Sequence, residues 1–405
     1  MAPTVKALRL ARLCLGLCLC VAPMLSMAQV VPQRVPFDRR ASAELDRLVR
    51  DVCRRDIVVL GEDANHGGGR TLEIKVELVK RLVERCGFGG IVFESSMYAA
   101  LDLERRLAQG DATEADIVDA TGQLWFRAQE AQPLPPFLLQ AARDGRLRIG
   151  GMDIQPVARP GRYTGSRLAS ELASVLDASR QAACAAEIQR HNRDAYDDAH
   201  PLDDAAQARL RACIDAVREA AAASGGDTAL ARMAEAYGRY LDMAMAGDGD
   251  VRERAMFDLL MWHRERWPPG TKLLVWCATV HGARALHNVA PAMRPMGADL
   301  HARFGRRAAV IGFTALSGAF GQGGENPPLR LREAPPLALE VRALEARASE
   351  EPGELGYLDA KRLARMGVAS ARPINYRSVH AADWSKILDG LLVLREERPI
   401  TPVAR

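Results

Sequence analysis

Ile57-Val58-Val59-Leu60-Gly61-Glu62-Asp63-Ala64-Asn65-His66-Gly67-Gly68-Gly69-Arg70 is the stretch on which the fold turns. Four β-branched or aliphatic residues in a row suit a strand buried on both faces, and the run stops at Gly61-Glu62. Polar residues, a histidine and three glycines follow, and from about residue 71 the pattern becomes that of an amphipathic helix. Strand, tight loop and helix in this order place Glu62 and His66 at the carboxyl end of a parallel strand. Ligands bind at that end in open α/β sheets. The glycines allow positive φ and close approach of a ligand to the backbone, although most glycine loops are only turns.

The pattern recurs. Leu72, Val76, Val79, Leu82 and Val83 share one helical face, and Cys86-Gly87 ends the helix. Gly90-Ile91-Val92-Phe93 is a second buried strand, and it too stops at an acid, Glu94. A right-handed crossover sets this strand beside the first, with Glu62, His66 and Glu94 at one edge. Residues 147–152 form a third strand ending at Asp153, and residues 272–277 a fourth, with His281 shortly after it. Further strands are expected over 308–314, 337–341 and 390–394. The glycine-rich run from Ser317 to Gly324 reads as a flexible rim loop, because it lacks Gly-Lys-Ser/Thr and opens no helix.

Between these strands the chain is helical. Residues 97–145 read mainly as helices, with an aromatic cluster, Leu124-Trp125-Phe126, near the expected cleft. Trp125 either flanks a substrate or is plain core. Residues from about 165 to 266 lose all strand signal. Turn clusters at Asp197-Asp198, Ser224-Gly225-Gly226-Asp227 and Gly247-Asp248 divide them into helical arms. His191 and His200 fall in a polar stretch and read as solvated, and His287 needs a favourable turn to reach the site. The expectation is a three-layer α/β/α domain over residues 29–405, with a mainly parallel sheet and a large helical insertion at 165–266.

Residues 1–28 read as a signal peptide. Lys6, Arg9 and Arg12 precede the short apolar run 13–21, and Ser26-Met27-Ala28 is a small-x-small cleavage site. Cys18 and Cys20 raise a lipoprotein anchor as the alternative, but neither follows the usual small residues. Removing 28 of the 405 residues leaves 377 and takes three basic residues from the formal +4, leaving +1. Charges of both signs are interspersed, which removes the case for nucleic acid as a partner. No later stretch suits a membrane span. A periplasmic or secreted protein is therefore expected.

Five of the eight cysteines lie beyond residue 28, with no Cys-x-x-Cys among them. Cys53 and Cys86 each end a helix just ahead of a strand, and Cys184 and Cys213 lie on either side of one hairpin turn between helices. In an oxidising compartment both pairs are expected as disulfides, with Cys277 free inside the sheet. Buried free thiols are the alternative at the helix ends.

Leu60-Gly61-Glu62, Asn65-His66-Gly67, Lys75 and Phe93-Glu94 together resemble the erythromycin esterase family. Later pieces agree: Gly150-Gly151-Met152-Asp153, Arg252-Glu253-Arg254-Ala255-Met256, Val275-Trp276, His281, Ile311-Gly312-Phe313-Thr314 and Leu388-Asp389-Gly390-Leu391-Leu392. Two features depart from the family pattern. Ala64 lengthens the glutamate–histidine spacing by one residue, and Ala278 stands where a histidine is usual. The resemblance implies hydrolysis of a macrolide-like ester or lactone by water, without a covalent intermediate or a cofactor.

The residues themselves allow that chemistry. No Gly-x-Ser-x-Gly elbow occurs. A carboxylate from Glu62 or Glu94 orients His66, neutral His66 takes a proton from the attacking water, and Lys75 or Arg70 stabilises the developing oxyanion. His281 joins this catalytic set, while Arg70, Trp125 and Asp153 are candidates for binding a small-molecule substrate. Two rivals stay open. Glu62, His66, Glu94 and His281 are also nitrogen and oxygen ligands suited to a divalent metal, though without His-Glu-x-x-His spacing. The same fold also suits a binding module, for haem or another small molecule, that turns nothing over.

Overall fold

The computed structural model describes residues 37–157, 162–223, 229–287, 289–321, 328–333, 335, 338–345 and 354–403. The expected signal peptide, the turn at 224–227 and residues 322–324 of the rim loop lie outside these.

The strands in chain order are β1 (Ile57–Leu60), β2 (Phe88–Ser96), β3 (Arg148–Asp153), β4 (Lys272–Trp276), β5 (Ala308–Phe320), β6 (Leu329–Arg330), β7 (Leu355–Asp359), β8 (Val368–Ala371), β9 (His380–Asp383) and β10 (Gly390–Glu397). The main sheet runs β3-β2-β4-β1-β5-β10-β7, with β6 paired to the end of β5. Its first six strands are parallel, and β7 closes one edge antiparallel to β10. β8 and β9 form a separate antiparallel pair.

The sheet is sandwiched because its central strands are apolar on both sides. Residues Ile57–Leu60 are all fully buried. Ile57 and Val59 belong to one buried cluster with Val275, Val310 and Val393, and with Met256, Leu259 and Tyr237 from the helical region. Side chains alternate along a strand, so Val58 and Leu60 face the other way. On that second side, Lys75 from helix Gly69–Cys86 lies 4.1 Å from the Trp276 ring centroid. Helices therefore cover both faces, and the architecture is three-layered.

Six helices occupy the span from Tyr163 to Arg266, the longest being Asp204–Ala223, with no strand among its described residues. Both expected disulfides are present. Cys53–Cys86 has a Cα separation of 5.2 Å and Cys184–Cys213 one of 5.5 Å, and Cys277 is free and buried. Among the described residues no helix is long and apolar enough to cross a membrane.

Three expectations need correction. β2 does not lie beside β1, because β4 sits between them, pairing Leu273–Trp276 with both neighbours. The crossover rule fixes handedness, not adjacency, and the gap is filled by a strand that arrives after the long helical region. Residues 339–341, expected in a strand, begin helix Leu339–Glu345, and β6, β7, β8 and β9 were not expected. A short apolar run carries no period long enough to separate the two cases. Finally, Ser317–Phe320 is not loop but the end of β5, paired with β10 through Gly318 and with β6.

Candidate active site

The carboxyl ends of β1, β2, β3 and β4 bring together the residues marked by the sequence. Glu62 lies one residue beyond β1, after Gly61, with 3 % of its side chain exposed. One oxygen, Oε1, lies 2.8 Å from His66 Nδ1 and also accepts the Trp125 indole N–H. The other lies 3.2 Å from Lys75 Nζ, whose side chain is wholly buried. Burial works against the Glu62 charge, but Lys75, then His66 and Trp125, hold its carboxyl below the usual range. Burial leaves Lys75 itself below an ordinary lysine despite the attraction of Glu62.

His66 adopts φ 54°, the left-handed region that costs a residue with a Cβ on the order of 1–2 kcal/mol. The loop is held there from several sides. His66 N–H donates to Asp63 O at 2.9 Å and Ala64 N–H to Ile374 O at 3.1 Å. Asp63 Oδ1 in turn accepts from Tyr376 N–H at 2.6 Å. Burial lowers the proton affinity of the His66 ring, but the bond to Glu62 and the charges of Glu62 and Glu94 outweigh it and leave its pKa raised. Among the described residues, no protein group bonds Nε2 of His66.

A second histidine lies in a different setting. His281, in the short helix Thr279–Gly282 after β4, has Nδ1 at 2.6 Å from Glu253 Oε1 and Nε2 at 3.0 Å from Glu94 Oε1. Arg252 Nη1 is also 3.3 Å from Nε2. A guanidinium accepts nothing, so the carboxylates are the partners and both ring nitrogens donate. Burial opposes the charge of His281, but Glu94 and Glu253 push its pKa up to about 10, which makes it an imidazolium at neutral pH. Glu94 is saturated: it accepts from His281, from Arg252 Nη2 at 3.0 Å and from the Ala278 N–H at 2.8 Å. Although burial opposes its charge, these neighbours, His281 first, hold it well below the carboxylate range.

Asp153, at the end of β3, is occupied by Arg252 at 2.7 Å and 3.2 Å. Trp125 is 1 % exposed and turns its polar edge to Glu62, so it is core and a support for that carboxylate. Arg70 is engaged elsewhere, at 2.5 Å from Glu73 and 3.2 Å from Glu354, and is not aimed at His66. His287 is exposed on a turn, and His191, expected to be solvated, is half-buried against Tyr196 and Tyr240. Arg252 and Glu253 were missed as site residues. Their only sequence signal was membership of a motif on helix Gly249–Arg266, which carries them to the site from outside the sheet. Among the described residues, no group of three or more His, Cys, Asp and Glu side chains is arranged to hold a metal ion.

Fold and site together define a class: an α/β protein whose strand ends carry two histidine–carboxylate couples, one able to exchange a proton and one held charged. A model of the erythromycin esterase family matches residues 83–393, and the chain belongs to that family, which with the fold supports a hydrolase. No curated protein sequence matches it. Among solved structures it is similar to a mutant of the erythromycin esterase EreC in its open conformation, at 15 % identity and TM-score 0.66, covering 90 % of this chain and 96 % of that one. A Bacillus cereus protein is similar at 17 % identity and TM-score 0.66, over 89 % and 93 % of the two chains. So is a succinoglycan biosynthesis protein, at 18 % identity and TM-score 0.64, over 88 % and 91 %. At these identities the likeness is one of fold.

Proposed function

We propose that the chain is an exported esterase that hydrolyses an ester or lactone of a small molecule, with His66 as general base toward water. The observation that supports this is the asymmetry of the His66 ring. Nδ1 meets an ionised Glu62, so the Nδ1–H tautomer is favoured and Nε2 keeps its lone pair for a water proton. Lys75 keeps Glu62 ionised from within the core. His281 is already charged and bonded at both nitrogens, which disqualifies it as a base and suits it to hold Glu94 in place. Arg252, with a fifth of its side chain exposed, is the cation available to developing negative charge on the carbonyl oxygen. Export fits the two disulfides and the signal-like residues 1–28.

The neighbour EreC makes a macrolide lactone the first substrate to try, followed by simple aryl esters. The expected result is turnover that rises with pH through a value above that of an ordinary histidine, because the proton-accepting form is neutral His66. His66→Ala should lower kcat by about a hundredfold or more with the fold intact by circular dichroism. Undiminished turnover in that variant removes His66 as the base. No hydrolysis of any ester or lactone by the wild type leaves the fold as a binding module.

A further inference from the structure

Glu397, the last residue of β10, is a buried carboxyl that the proposed chemistry does not use, with 1 % of it exposed. It lies over the N-terminus of helix Gly69–Cys86. There it accepts from Arg70 N–H at 2.8 Å, Thr71 N–H at 3.3 Å, Arg398 N–H at 3.0 Å and the hydroxyls of Thr71 at 2.5 Å and Tyr376 at 3.0 Å. A helix begins with amide groups that have no partner within it, and the N-cap here, Gly68, has no side chain to serve them. Glu397 serves two of them from the far end of the chain, where a negative charge also suits the helix dipole. A Cβ on residue 68 would lie 2.6 Å from Glu397 Oε2, so glycine is what admits the carboxyl.

The residues that follow continue the same contact. Arg398 O accepts from Gly69 N–H at 2.6 Å, and Ile400 N–H donates to Gly67 O at 3.2 Å. Beyond them, Thr401 O accepts from Gln129 N–H at 2.7 Å and Val403 N–H donates to Arg127 O at 2.7 Å. The tail thus straps the loop that holds His66 to the segment that follows Trp125. Tyr376 ties in the other end of that loop, since its hydroxyl bonds Glu397 while its N–H bonds Asp63. All of this surrounds a histidine in a conformation that needs enforcing.

We infer that Glu397 is a positioning residue for His66: by capping helix Gly69–Cys86 it holds the loop in which Nδ1 meets Glu62. The inference rests on the reading of His66 as the base, so its test includes a measurement independent of turnover. The charges acting most on His66 are Glu62, Glu94 and Lys75, so a change in its pKa on altering Glu397 reports loop geometry more than direct charge. Burial pushes Glu397 itself up to about 7 against its donors, so turnover is compared at mildly alkaline pH, where it is ionised.

In Glu397→Gln the shape is kept and the charge removed. The expected result is a His66 pKa, read by NMR titration of the labelled imidazole, that falls toward its ordinary value. On any ester the wild type cleaves, kcat should fall by about tenfold while KM moves much less. An unchanged His66 pKa in the folded variant overturns the inference, whatever happens to turnover. A shifted pKa in a protein that cleaves no ester sustains the positioning role and removes the esterase reading alone. If Glu397→Gln does not fold, Tyr376→Phe, which removes one donor, is held to the same criterion with a smaller shift expected.

Discussion

The two histidines of this site are built from the same parts and do opposite things. His66 has one carboxylate at Nδ1 and, among the described residues, an Nε2 without a protein partner, and 13 % of its side chain is exposed. His281 has a carboxylate at each nitrogen and 9 % exposure. Burial lowers the proton affinity of both rings, so the difference comes from how many carboxylates are bonded to each ring, and from Lys75 beside His66, not from depth. A single bonded carboxylate, with the charge of Glu94 behind it, leaves the pKa of His66 raised and one ring nitrogen open for proton exchange. Two raise that of His281 to about 10 and turn the ring into a fixed cation. A histidine near a catalytic loop is thus not a base by virtue of position, and the second nitrogen decides its role.

Breaking the single couple should have the largest effect. Glu62→Gln removes the partner of His66 Nδ1 and leaves the buried Lys75 without its anion. We expect kcat to fall about a hundredfold. The acid limb of the pH–rate profile should move to lower pH, and stability should drop by roughly 3 kcal/mol because a buried charge is left uncompensated. A profile that keeps its wild-type midpoint would show that Glu62 does not tune His66.

Loosening the double couple sharpens the contrast through stability. His281 has a raised pKa when folded, so its contribution is complete below its ordinary value of 6.5 and is lost as pH rises through about 10. Glu94 has a lowered pKa, so its contribution is present above 4.5 and is lost as pH falls below that value. Thermal melts across pH should therefore show a plateau between these limits. Glu253→Gln should cut the plateau by a few kcal/mol and flatten the alkaline fall, with only a modest loss of turnover. A Tm–pH curve that superimposes on the wild type would deny His281 its charged state.

The smallest effect on the site is expected from the disulfides, which bond neither histidine. Replacing Cys53 and Cys86 together by serine opens a closure of 33 residues and should cost about 3 kcal/mol. Both histidine pKa values should stay put in that variant. A shift in either would mean that the opposite edge of the sheet governs the site.

Much was settled by the sequence alone, because the signals were local. Buried strands read as unbroken apolar runs, and an acid closing such a run must lie at the strand's end, which puts Glu62, Glu94 and Asp153 on one edge. Cysteines at helix ends just ahead of strands likewise made Cys53–Cys86 an expected pair, and the structure contains that bond. Only the tertiary structure could decide the rest. β4 separates β1 from β2, Glu253 clamps His281 from a helix outside the sheet, Trp125 bonds Glu62, and Glu397 caps a helix that starts 328 positions earlier in the chain, at Gly69. Periodicity records which face of an element is buried and nothing about which distant element covers it. Hydrogen-bond partners so far apart leave no trace in local pattern, and it is those partners that tell one histidine from the other.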